Sequence, residues 1–225
     1  MNKLILTSII GMTLSISQAN AFGLGDLGNI AKVATGSAKA EAAATSSNVT
    51  GDLDSFLATA KEADTLITAS SDTLFKTMVP QKEVAAHNAK VLAANNITDP
   101  AKRAEILQQL LAEQMARLSQ VDWDKQARET PKLLNAEQKV AVTTAIYNFT
   151  LGTLKDKELL VQSKGLIGAV RSNPLLLMRV GELTDVSGSI SNQLATATSI
   201  AAGLPKLASA VGLGALPTSA AAAAR

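Results

Sequence analysis

Residues 50–80 read TGDLDSFLATAKEADTLITASSDTLFKTMVP. At the roughly 100° per residue of an α-helix, Leu53, Phe56, Leu57, Ala60, Ala63, Ile67, Leu74 and Met78 share one arc, and most charged side chains fall opposite. The spacing predicts an amphipathic helix of about 28 residues, roughly 42 Å long. No helix covers its own apolar stripe, so others must pack on this one.

Composition points the same way. Aromatic residues make up 3% of the chain, with a single Trp and a single Tyr, while most of the 47% that is hydrophobic is Ala, Leu, Val and Ile. Small and aliphatic side chains suit close-packed helices better than a β-sandwich. Downstream, the chain is punctuated by helix signals. Pro80 is expected in the first turn of a helix over 81–94 that Asn95-Asn96 closes. Thr98-Asp99-Pro100 opens another, with Ala104, Leu107, Leu110, Leu111, Met115 and Leu118 on one face. Residues 121–131 read as a short polar helix or turn. Asn135 with Gln138 makes a variant capping box, and the helix it starts runs to Arg171, with a bend expected near Gly152. Asn173-Pro174 restarts a helix whose apolar spacing ends at Pro205. No run alternates as a strand with hairpin signals at its ends, and no fixed-period repeat is present. The expected fold is all-α, an antiparallel bundle of about five to seven helices, with one long amphipathic helix near the start of the mature chain.

The N-terminus bears on compartment. Lys3 precedes an apolar run from Leu4 to Ser17, and Ala19-Asn20-Ala21 places small residues at a cleavage site. That is the pattern of a secretory signal peptide, and the apolar run is shorter than the ~20 residues that span a bilayer. Cleavage is expected after Ala21, giving a periplasmic or secreted protein of a Gram-negative bacterium. The expected organisation is a signal peptide over 1–21, a Gly/Ala-rich weak helix and linker over 22–50, a helical domain over 51–212 and a flexible Ala-rich tail over 213–225.

Several chemistries find no footing. The chain has no cysteine, one histidine and a net charge of +2 with scattered Lys and Arg, so disulfides, thiolate chemistry and a nucleic-acid-binding basic stripe are discounted. His87 stands alone in a polar helix, without a partner motif for catalysis or metal binding. Asp52 and Asp54 lack the remaining ligands of a Ca²⁺ loop. Gly23-x-Gly25-x-x-Gly28 has the spacing of a dinucleotide fingerprint but no preceding strand. No cofactor or metal is expected, and no enzymatic activity.

Three polar or aromatic positions break the apolar pattern and are candidates to line a ligand cavity. Asp64 lies on the apolar arc of the long helix, where a buried carboxylate needs a partner or a proton. Gln114 interrupts the Leu110–Leu118 face, and Trp123 sits between Asp122 and Asp124. A second set comes from the charge-poor C-terminus, where Lys206 is the only charged residue from Val186 to Ala224. Pro205-Lys206 and the Ser/Thr content argue against a span, so no transmembrane segment is expected in the mature chain. Leu204, Leu207, Val211, Leu213 and Leu216 would meet a partner protein or a membrane surface if this segment is exposed. The expected function is binding, of an envelope protein or a lipid-like hydrophobic ligand. The alternative is a membrane-active exported protein whose C-terminal segment engages lipid.

Overall fold

The structure is a computed structural model and describes residues 46–223. The expected signal peptide and cleavage site, the glycine pattern at 23–28 and nearly all of the Gly/Ala-rich segment lie outside the described residues, as does the extreme end of the tail. Among the described residues there are helices and no strands. In order they are α1 (Ser46–Met78), α2 (Gln81–Asn95), α3 (Pro100–Ser119), α4 (Trp123–Leu133), α5 (Ala136–Arg171), a 3-10 segment (Pro174–Arg179) and α6 (Val180–Ala210), before a last turn at Ala220–Ala223.

Most boundaries follow from local chemistry. The Asp99 carboxylate accepts the amides of Ala101 and Lys102, with Pro100 in the first turn where no amide is needed. Asn135 and Gln138 exchange side-chain and backbone hydrogen bonds as a complete capping box. Pro80, expected inside the first turn, sits one residue earlier: it caps α2, and its carbonyl accepts from Glu83 and Val84. The expected stop at Pro205 is overturned. The helix runs on to Ala210 although proline withholds a backbone hydrogen bond. Leu204, Leu207 and Ala208 are buried on either side of it, and that burial carries the helix through. Past Ala210, Gly212 adopts φ +84°, the left-handed conformation that ends a helix. Its amide bonds to Ser209 and that of Leu213 to Ala208, the paired bonds of a Schellman turn.

Three long helices form the frame. α1 and α5 run antiparallel, since Gly152 lies against Ala63 and Ile67 while Lys155 reaches Glu62. α6 runs parallel to α1, with Arg179 just before it on Asp54 of α1. Their inward faces make two separate apolar clusters. The first gathers Ile67, Leu74, Ile146, Phe149, Ala197, Ile200 and Leu204 from the frame, closed by Val84 of α2, Met115 and Leu118 of α3 and Trp123 of α4. The second gathers Leu53, Phe56, Leu159, Val170, Leu183 and Ile190 from the same three helices, with Leu176 of the 3-10 segment. α5 continues unbroken through Gly152, and the close crossing accounts for the glycine. A Cβ there would stand 2.7 Å from Ile67 Cγ1 and 3.0 Å from the Ala63 carbonyl oxygen.

Candidate functional site

The two clusters break at the same level on all three frame helices: between Ala60 and Ile67 on α1, between Phe149 and Leu159 on α5, and between Ile190 and Ala197 on α6. Polar side chains occupy that gap. Asp156 lies on the core-facing stripe of α5 and is 1% exposed. One of its oxygens, Oδ2, is buried without a hydrogen bond from any protein group. Burial pushes its carboxyl up to about 7, and the neighbouring charge of Asp64 adds to the rise. Asp64 keeps much of its side chain in water, yet partial burial still raises it, against the opposing pull of the Gln193 amide of α6. Lys155 is buried beside this pair but turns away to α1, its ammonium 2.7 Å from Glu62 Oε2. That contact is ionic, without the alignment of a good hydrogen bond. The buried hydroxyls nearest along α5 are also committed: Thr153 donates to Phe149 O at 2.8 Å and Ser163 to Leu160 O at 2.9 Å.

The other expected cavity residues lie elsewhere. Gln114 is buried and donates from Nε2 to Ser71 Oγ at 2.9 Å, while Ser71 donates to the Thr68 carbonyl. This fastens α3 to α1 about two turns beyond Asp64. Trp123 packs its indole on Gly203 of α6, where a Cβ would collide with the ring. Its Nε1 is buried without an acceptor, so the indole N–H is not at the surface. The structure therefore does not bring Asp64, Gln114 and Trp123 together in one cavity. His87 is half-buried, with its ring tilted on Phe75 at 5.0 Å between centroids. Among the described residues no group of three or more His, Cys, Asp or Glu side chains is placed to hold a metal ion.

The C-terminal candidates face inward. Leu204 and Leu207 have no exposed surface, and Val211, Leu213 and Leu216 are partly buried against the first cluster. The returning chain leaves a shallow groove of about 410 Å³ against the end of α6, lined by Pro205, Ala208, Leu213 and Leu216. No helix among the described residues is long and apolar enough to cross a membrane. Contact with lipid through these leucines would first require the end of α6 to open.

Sequence reasoning passed over the most exposed apolar surface. In the 3-10 segment, Leu175 is 87% exposed, Leu177 52% and Met178 96%, while Leu176 between them is buried in the second cluster. Asn173 fixes the start by accepting the Leu175 amide, and Arg179 fixes the end through Asp54 at 2.7 Å and Glu182 at 3.2 Å. The sequence shows four consecutive apolar residues, Leu175–Met178, and the 3-10 turn decides that only Leu176 among them is buried. The chain matches no known family model, no characterised protein and no solved structure.

Proposed function

We propose that this is an exported antiparallel helical bundle, periplasmic after cleavage behind Ala21, that works by binding an envelope protein and catalyses no reaction. The observation that carries the reading is the apolar tip made by Leu175, Leu177 and Met178. Single exposed leucines are ordinary on protein surfaces, but adjacent ones held out on an anchored turn mark a contact surface. Arg171 and Arg179 flank the tip, giving the polar rim around an apolar centre that protein interfaces favour. Among the described residues the buried polar groups are divided between helix contacts and the layer around Asp156, which favours recognition over catalysis.

The test is site-specific photo-crosslinking in the producing cell, with the photoreactive residue at position 178. The reading predicts one discrete protein adduct in the envelope, lost in a chain carrying Leu175→Ser and Leu177→Ser that stays folded. Binding of each truncated side chain is worth about 1.5–3 kcal/mol, a tenfold or greater weakening apiece. The absence of a discrete adduct, or adducts to lipid alone with flotation of the purified protein on liposomes, would retire it.

A further inference from the structure

The polar layer has a consequence that does not depend on what the tip binds. Asp156 occupies the centre of the core-facing stripe of α5, where the neighbouring turns place Phe149, Gly152 and Leu159. The helices are nearly in contact there: one turn from Asp156, a single added carbon at Gly152 would meet α1 at 2.7 Å. With the helices in contact, its Oδ2 is out of reach of water.

The charges that face Asp156 give it no counter-ion. From α1 come Asp64, which is repulsive, and Glu62, which holds Lys155. From α6 comes Gln193, which is uncharged and acts on Asp64. The acidic residues of α6, Glu182 and Asp185, are exposed, as are Lys61 of α1 and Lys157 of α5. Glu158, the next acid on α5, takes the Ala220 amide at 3.2 Å. A neutral Asp156 is a small polar group in a tight seam. An ionised one is a buried charge beside a like charge, with Lys155 already engaged.

The geometry points to a proton-operated latch: α1, α5 and α6 close on one another around a neutral Asp156, and its ionisation loosens them at that level while the first cluster stays packed. The raised carboxyl of Asp156 places the change near neutrality. The sign follows from linkage. The closed form holds the proton more tightly than an open, solvated one, so closure weakens as pH rises towards the closed-state value and is weakest above it.

Amide hydrogen exchange on the mature chain at pH 5 and pH 8, corrected for the intrinsic rate at each pH, tests this. Protection in 60–67, 150–159 and 187–197 is expected to fall at least about tenfold between the two. Peptides of the first cluster, such as 74–79 and 200–208, should hold theirs. In Asp156→Asn the seam should lose its pH response, and in Asp64→Asn the response should shrink, which covers the case in which the first variant does not fold. Equal seam protection at both pH values in the unaltered chain would overturn the latch. So would a fall that persists in a folded Asp156→Asn, or a fall of the same size throughout the chain.

Discussion

The half of the molecule around Phe149 and the half around Leu159 are built from the same three helices, yet they are finished differently. Around Phe149 the frame is covered by Val84 of α2, Met115 and Leu118 of α3, Trp123 of α4 and the returning residues Leu213 and Leu216. Around Leu159 only the 3-10 segment closes the frame, and it buries Leu176 while holding Leu175, Leu177 and Met178 in water. Between the halves the apolar faces stop for a layer that includes Glu62, Asp64, Lys155, Asp156 and Gln193. One frame therefore has a sealed end, suited to stability, and a bare end, suited to contact. The layer between them lets the two respond separately.

Substitutions at matched positions in the two halves probe that contrast. The largest loss is expected from Phe149→Ala, which empties a fully buried aromatic from the sealed half. Urea unfolding followed by Trp123 fluorescence should show about 3–5 kcal/mol of destabilisation. A loss under about 1 kcal/mol would mean the half is not packed as described. The pH dependence of stability ranks alongside it. Because Asp156 is raised to about 7 in the folded chain, its contribution is fully present below about pH 4, is lost as pH climbs to 7, and changes no further above that. Opening of the seam caps this loss, so the whole-chain unfolding free energy falls by less than the seam's own protection does. A folded Asp156→Asn should be nearly flat over the same range, and unfolding curves at pH 4, 5.5, 7 and 8.5 read both.

Gly152→Ala comes next. The added methyl meets Ile67 and the Ala63 carbonyl at the closest crossing of α1 and α5, so it forces the frame apart at the edge of the polar layer. Overpacking of this kind costs about 1–3 kcal/mol, seen as a lower urea midpoint with an unchanged slope. The smallest stability effect belongs to the bare end. Leu175→Ser with Leu177→Ser should move the unfolding free energy by no more than about 1 kcal/mol, because neither side chain belongs to either apolar cluster, while abolishing the adduct formed from position 178. A large loss of stability there would place the tip in the core and remove it as a contact surface.

How far the sequence led differs between the halves for a physical reason. Helix starts are local, and Asp99-Pro100 and Asn135 with Gln138 were readable because the capping groups lie within four residues of one another. The apolar arc of α1 was readable because its period is that of the helix, and Leu53, Phe56, Ala60, Ala63, Ile67, Leu74 and Met78 are all buried. Pro205 was misread as a stop because the burial that carries α6 past it is tertiary. Asp64 was singled out from its place on the arc. Its counterpart Asp156 was not, because Lys155-Asp156-Lys157-Glu158 looks like a solvated charged face until α1 is laid against it. The tip was missed for the opposite reason: Leu175–Met178 looks like core, and only a 3-10 turn shows that one of the four side chains enters it.

The partition of the frame rests on Asp156 being sealed between α1, α5 and α6, and its own titration reports that most directly. Carboxyl ¹³C shifts of the protein, followed from pH 3 to pH 9, should give Asp156 a midpoint near 7. A midpoint near 4, in the range of a solvated carboxylate, would mean that water already fills the seam and that the two halves are one continuous, open-sided core.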